Sequence, residues 1–207
     1  MSSVENKYEE RMLWSKFLEG DTQVLSLIFI RYSNLLFDYG CRFTTDQDLV
    51  KDCIQDVFCT LIRTHKNLSD TDNVKLYLLK SVKRRIIREL KNISNKPLSL
   101  DDYDYSFNLV WSESLENQIT ELAEEKMLLI ADAMNSLTER QKEAIYLRFN
   151  RGLEYEEISS LLSLNYQSSR ALIHRAVEKL REIVHVQEKK ITQVFFSILF
   201  GNSKAVL

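Results

Sequence analysis

Apolar residues recur at helical spacing over most of the chain. From Glu5 to Leu18, Tyr8, Met12, Leu13 and Phe17 stand near one face, and Gly20-Asp21 interrupts the pattern. From Thr22 to Phe43, Leu25, Ile28, Phe29, Tyr32, Leu35, Leu36, Tyr39 and Phe43 keep a broad apolar side, which predicts a long core helix. Asp21 is placed to cap its start, and Thr44-Thr45-Asp46 to end it and cap the next. In Asp46–Thr64 the stripe is Leu49, Cys53, Ile54, Val57, Phe58, Leu61 and Ile62, with Asp48, Asp52, Gln55 and Asp56 left on the other side. A break at His65–Asp70 follows. The next helix, Thr71–Lys91, carries Val74, Tyr77, Leu78, Val82, Ile86, Ile87 and Leu90 on its apolar side.

The period lapses over Asn92–Ser114, which holds the only proline, Pro97, and the run Asp-Asp-Tyr-Asp-Tyr-Ser. That is the expected domain boundary. Helix resumes near Leu115, with Leu122, Met127, Leu128, Ile130, Ala131 and Met134. Thr138 followed by Gln141 forms a capping box, and Arg151-Gly152 closes the helix so begun. Two short periodic segments come next. Tyr155–Leu162 has Ile158, Leu161 and Leu162; Gln167–Ile183 has Leu172, Ile173, Ala176, Val177 and Leu180; Ser163-Leu164-Asn165-Tyr166 separates them, with Asn165 as N-cap. This is the pattern of a helix-turn-helix, and also of a plain helical hairpin. The first turn of the second helix offers Gln167, Ser168, Ser169 and Arg170, side chains suited to base edges and phosphates. The expected fold is all-α, with two small helical domains joined by a linker, the second a helix-turn-helix domain. The bounds read from the pattern are 1–92 and 115–186, an acidic linker over 93–114, and an apolar tail over 187–207.

Composition sharpens this picture in two places. Four glycines and one proline in 207 residues leave little to break helices. A net charge of −2 argues against indiscriminate nucleic-acid binding, but it averages over segregated blocks. Lys80, Lys83, Arg84, Arg85, Arg88 and Lys91 are one basic block; Asp101, Asp102, Asp104, Glu113, Glu116, Glu121, Glu124 and Glu125 form an acidic stretch unrelieved by Lys or Arg. Cys41, Cys53 and Cys59 lie in apolar periodic segments without metal-ligand spacing, as buried reduced thiols of a cytoplasmic protein. The N-terminus has no signal-peptide core, and Ile191–Phe200 is shorter than the roughly 20 apolar residues a membrane helix needs.

Little in the chain points to catalysis. It has no Gly-rich phosphate loop, no HExxH and no nucleophile motif, and His65 and His185 have no metal partners in sequence. No enzyme activity, cofactor or metal is expected. The polar face Asp52, Gln55, Asp56 is either a solvated surface or a docking face for a basic partner. The basic helix carrying Tyr77 is either solvated or suited to opened nucleic acid, where cations follow the backbone and rings accept unstacked bases.

In their order, these segments resemble bacterial RNA polymerase sigma factors of the extracytoplasmic-function group, over roughly Gly20–Asn92 and Leu128–Glu182. Asp52-Cys-Ile-Gln-Asp-Val-Phe58 is similar to the family's signature helix. The likeness implies that Asp52, Gln55 and Asp56 dock on core RNA polymerase. Lys75-Leu-Tyr-Leu-Leu-Lys-Ser-Val-Lys-Arg-Arg85 resembles the helix that captures the opened promoter strand, with Tyr77 where many members have Trp. The His65–Asp70 break resembles the loop that receives a flipped base. By the same resemblance His65, Lys66, Asn67, Tyr77, Lys80, Lys83, Arg84 and Arg88 contact the downstream promoter element. Leu137-Thr-Glu-Arg-Gln141 with the helix-turn-helix resembles the domain that reads the upstream element, through Gln167, Ser168, Arg170, His174 and Arg175. Lys179 and Arg181 are expected at phosphates or solvent. Three positions depart from the family: Arg84 for a usual Asn, Ser163 for a common turn Gly, and Ser169 for a small apolar residue. The turn tolerates Ser163 if that residue need not adopt positive φ. The implied partners are core RNA polymerase, promoter DNA and an anti-sigma factor, often membrane-anchored. A conventional helix-turn-helix regulator with a helical sensor domain is the alternative. It would leave the Asp52–Phe58 face and the basic helix as coincidences.

Overall fold

Local capping sets where several of the helices start. Asp46 accepts hydrogen bonds from the amides of Asp48 and Leu49, at 3.1 and 3.0 Å, and so opens α3 (Gln47–Thr64). Asn73 accepts from Leu76 N–H at 2.9 Å and opens α4 (Val74–Ile93). The computed structural model describes residues 3–94, 105–109 and 132–185, and the chain divides into two units at Ser106/Phe107. Among the described residues there is helix and no strand.

In the first unit α1 (Ser3–Leu18), α2 (Val24–Gly40), α3 and α4 enclose one core. Helices α2, α3 and α4 pack on one another and bury Leu25, Ile28 and Leu36 of α2, Val50, Cys53, Ile54, Val57, Phe58 and Leu61 of α3, and Leu78, Leu79, Val82 and Ile86 of α4. Gly40 lets α2 and α3 approach closely. A Cβ there would lie 2.5 Å from Val50 Cγ1. A 3₁₀ turn, His65–Asn67, follows α3.

Several positions differ from the periodic expectation. Tyr8 and Met12 face outward, and Trp14, fully buried, takes the core position beside Phe17. Apolar residues are scattered around α1, so spacing alone does not single out its inner face. Phe29 and Ile62 are also exposed, as is Ile30 at 71%. Helix α2 is apolar nearly all round, and packing rather than pattern selects its buried stripe. Asp21 does not cap α2. The N-cap is Gln23, without a side-chain bond, and Asp21 Oδ1 accepts Gln23 N–H instead.

In the second unit, a capping box starts α5 (Glu139–Ile145): Thr138 Oγ1 accepts Gln141 N–H and Gln141 Oε1 accepts Thr138 N–H. The helix widens into a π turn at Tyr146–Asn150 and stops at Gly152, φ +63°. Next come α6 (Tyr155–Leu161) and α7 (Tyr166–His185), which pack against each other; α7 also packs on α5. Ile158, Leu161, Leu162, Ile173, Ala176 and Leu180 form their shared core with Ala144, Ile145 and Leu147. Phe107 is also buried there. Its N–H donates to Glu139 and its ring meets Tyr146 edge to face. The helix expected from Leu115 to Met134 is described only from Asp132, and the acidic linker only at 93–94 and 105–109. The apolar tail lies outside the described residues.

Candidate nucleic-acid and partner interfaces

Three surfaces carry the residues singled out in the sequence. The first is the outward stripe of α3, where Asp52, Gln55 and Asp56 are all exposed at i, i+3, i+4 spacing. Among the described residues Asp52 and Gln55 make no hydrogen bond or ion pair. Asp56 differs: its Oδ2 accepts from Arg85 Nε at 3.0 Å and Nη2 at 2.7 Å. Arg85 also reaches Glu89 at 2.6 Å, and these bonds push its pKa up. The pair is partly exposed, worth about 0–1 kcal/mol, so its main effect is to orient the Asp56 carboxylate.

The second surface is a groove between α3 and α4. Val57 and Leu61 line it with Thr60 and Thr64, Tyr77 and Ser81 face them from α4, and Asp56, Arg84, Arg85 and Arg88 complete it. A groove that offers cations, hydroxyls and a partly exposed ring suits a single strand, because the phosphates and the unstacked bases each find a partner. The 3₁₀ turn adjoins Thr64, with Lys66 and Asn67 exposed and His65 half-buried, its Nδ1 2.9 Å from Ile62 O.

Helix α1 fixes this region from below. Trp14 Nε1–H donates to Ser69 O at 3.3 Å, its ring lies 5.2 Å from Tyr77, and Phe17 lies 6.1 Å from His65. Trp14 thus ties Tyr77 to the loop. Sequence reasoning missed this role; the signal available was that Trp is the largest apolar side chain of that helix.

Lys80 is half-buried, and burial, then Arg84, pushes its ammonium pKa down. Lys83 is not on the groove. It is only 6% exposed and lies 4.5 Å from the Tyr105 ring and 6.0 Å from Phe43, a cation–π seat inside the first unit. The resemblance implied a strand contact for Lys83; in the structure its side chain faces Phe43 and Tyr105 and not the groove. Successive helical residues differ by about 100°, so Lys83 turns inward while Arg84 is exposed.

The third surface is the start of α7. Asn165 Oδ1 accepts Ser168 N–H at 2.7 Å, the cap read from the sequence. Gln167, Arg170, His174 and Arg175 are exposed and Ser168 is half-buried. Ser169 is fully buried, and its hydroxyl donates to Tyr166 O at 2.8 Å and lies 3.3 Å from Tyr155 O. This satisfies the polar atom that replaces an apolar neighbour. Ser163 does adopt positive φ, +52°, at the end of α6. Leu164 N–H bonds to Ser159 O at 2.8 Å, the long bond of a Schellman turn. Arg140 clamps the turn through Leu162 O at 2.6 Å. Of the two cations expected at phosphates or solvent, Lys179 donates to Ser136 O, and Arg181 pairs with Glu178 at 2.9 Å.

Family comparisons match both units in order. The sigma-70 region 2 family model covers residues 28–95, and the sigma-70 region 4 family model covers residues 127–180. The chain belongs to the sigma-70 family. Curated relatives place this sigma factor in the extracytoplasmic-function group. The ECF RNA polymerase sigma-E factor of Haemophilus influenzae is 24% identical over 176 residues, 82% of this chain and 92% of the relative. The ECF RNA polymerase sigma factor SigM of Bacillus subtilis is 22% identical over 158 residues, 75% of this chain and 92% of the relative. Solved structures share the fold. CnrH, in complex with the cytosolic domain of CnrY, has a TM-score of 0.56 at 16% identity, covering 86% of this chain and 98% of that one. The sigma factor RpoE of Bartonella quintana, in complex with the anti-sigma factor NepR, has a TM-score of 0.54 at 16% identity, covering 79% and 98%. The region 2 match does not favour a conventional regulator, whose helix-turn-helix would account for the second unit alone.

Proposed function

We propose that this sigma factor acts as a dissociable initiation subunit that does no chemistry itself. The α3 stripe, Asp52, Gln55 and Asp56, docks on core RNA polymerase. The groove and the turn beside it hold the opened downstream strand, through Tyr77 for a base and Lys66, Asn67, Lys80, Arg84 and Arg88 for the backbone, with His65 at the loop. In α7, Gln167, Ser168, Arg170, His174 and Arg175 read the upstream element in the major groove. Gln and Arg make paired hydrogen bonds to adenine and guanine, at about 1–3 kcal/mol of discrimination per good pair.

The observation that carries this is the juxtaposition in the first unit of an outward acid–amide stripe with a groove lined by three arginines and a tyrosine. A duplex reader alone needs neither. No helix among the described residues is long and apolar enough to cross a membrane. The protein works in the cytoplasm, where an anti-sigma protein, as bound to the RpoE relative, holds it inactive. The acidic stretch and the net charge of −2 discourage unassisted DNA binding.

Runoff transcription tests this: core polymerase plus the chain should initiate on promoters where core alone does not. A gel shift showing equally tight, sequence-specific binding without polymerase would overturn the dissociable-subunit mechanism.

A further inference from the structure

The start of α7 carries an aromatic arrangement that a helix-turn-helix does not require. Tyr155 opens α6 and Tyr166 opens α7, and their rings meet edge to face with centroids 6.1 Å apart. The guanidinium carbon of Arg170 lies 5.8 Å from the Tyr155 ring centre and 5.9 Å from that of Tyr166. Tyr155 is itself held. Arg148 sits 4.7 Å from its ring and is fixed in turn by Leu153 O and the Glu154 carboxylate, both at 2.9 Å. The seat beneath Arg170 therefore belongs to the frame of the unit and not to a loose surface ring.

Attraction to a ring needs only that the cation lie within about 6 Å of its centre and forms no conventional hydrogen bond, so N–H groups turned away from the rings remain able to donate. Arg170 is exposed, and among the described residues it makes no ion pair or hydrogen bond, so its donor fork stays available. Arg175, one and a half turns further on, has no such aromatic seat among the described residues. A long side chain held before DNA arrives has already lost part of its rotamer freedom. Its fork is then offered in fewer orientations, which favours a partner with two acceptors at fixed spacing. In the major groove that partner is guanine, through O6 and N7.

We propose that Tyr155 and Tyr166 are positioning residues that hold Arg170 to read one guanine of the upstream promoter element. This rests on the DNA-reading role of α7 proposed above. The test uses holoenzyme and a promoter set in which each upstream base pair is changed in turn, with initiation rate as readout and the melting temperature of every variant recorded. Arg170→Ala should lose about tenfold of its preference at one base pair. Tyr166→Leu and Tyr155→Leu should lose several-fold at that same pair, and Tyr166→Phe and Tyr155→Phe should keep it, because the ring and not the hydroxyl holds the guanidinium. Added to Arg170→Ala, the tyrosine changes should move base preference no further.

Tyr166 is partly exposed, so Tyr166→Leu keeps the test open if Tyr155→Leu melts the unit. A uniform fall across all promoters, a shift at a different base pair, multiplication with the Arg170→Ala effect, or Phe variants as defective as Leu variants would each overturn the proposal. If Arg170→Ala changes no preference while Arg175→Ala does, the proposal fails and the reading role of α7 stands. If no α7 substitution changes any preference, that role fails and the proposal goes with it.

Discussion

Ser163 is the one described non-glycine residue at positive φ, and it sits in the turn that sets the angle between α6 and α7. A left-handed conformation costs an L-residue about 1–2 kcal/mol. The Ser163 side chain is exposed and forms no hydrogen bond among the described residues, so nothing local offsets that cost. Ser163→Gly removes it but gives the unfolded chain more freedom, worth about 0.5–1 kcal/mol against the fold. The difference is a net stabilisation of roughly 0.5–1 kcal/mol, or a rise of about 2–8 °C in the melting temperature of a unit this size. Scanning calorimetry on the full chain measures it. The transition belonging to the second unit is identified by the mirror change, Gly152→Ala. Gly152 has φ +63° and open space around a Cβ, so that change is expected to lower the same transition through conformation alone. Ser163→Val should lower it too, since a branched Cβ tolerates the left-handed region least. A Ser163→Gly transition that is unchanged or lowered would refute the strain assigned to this turn.

Three further outcomes follow from the first unit. Gly40→Ala forces a methyl to 2.5 Å from Val50 Cγ1 and should cost about 1–3 kcal/mol in urea unfolding; Val50→Ala in the same chain should recover part of it, and simple additivity would count against the close approach. Trp14→Ala should cost about 3–5 kcal/mol and speed tryptic cleavage at Lys66 more than Leu78→Ala, a comparably destabilising core change that leaves the Ser69 anchor in place. Equal cleavage would mean that Trp14 does not hold the loop. Burial pushes the Cys53 thiol up to about 11, leaving about one thiolate per thousand at pH 8. Of the three cysteines expected to be buried only Cys53 is; Cys41 is half-buried, with burial raising its thiol pKa, and Cys59 is exposed, since it lies outside the buried stripe of α3. An aromatic disulfide reagent should therefore modify Cys59 first and Cys53 only on unfolding, and fast native modification of Cys53 would contradict its burial.

Where the sequence was legible, the cause was local. The caps at Asp46, Thr138 with Gln141, and Asn165 each need only a side chain two or three residues from the amide it satisfies, and all form as expected. The cores of α6 and α7, and most of that of α3, were readable because polar and apolar residues recur at a helical period; in α3 the stripe missed Val50, which is fully buried, and included Ile62, which is exposed. Those of α1 and α2 were not readable. Apolar side chains surround α2, so Leu27, Phe29 and Ile30 could be assigned outward only once α1, α3 and α4 had taken the other sides. Ser163 shows the converse limit: a sequence names the residue in a turn but not its φ, which the Schellman bond and the Arg140 clamp impose.

The candidate site divides along the same line. Lys80, Lys83, Arg84, Arg85, Arg88 and Lys91 read as one basic block, yet a helix distributes consecutive residues around its axis, and the cations meet different surroundings, Lys91 being buried like Lys83. Lys83 turns to Phe43 and Tyr105 in the interior, Arg85 crosses to Asp56 and Glu89, and Arg84 and Arg88 stay exposed at the groove. Charge counted along the chain therefore overstates what the groove can offer a phosphate backbone. It also hides a coupling: Arg85 lines the strand-holding groove while orienting Asp56 on the docking stripe. The two proposed surfaces share one guanidinium, so a substitution at Arg85 should disturb both polymerase binding and strand capture, whereas Arg88→Ala should disturb strand capture alone. Separate measurement of core affinity and of promoter opening for the two variants distinguishes them, and an Arg85→Ala chain with unchanged core affinity would show that Asp56 needs no such orientation.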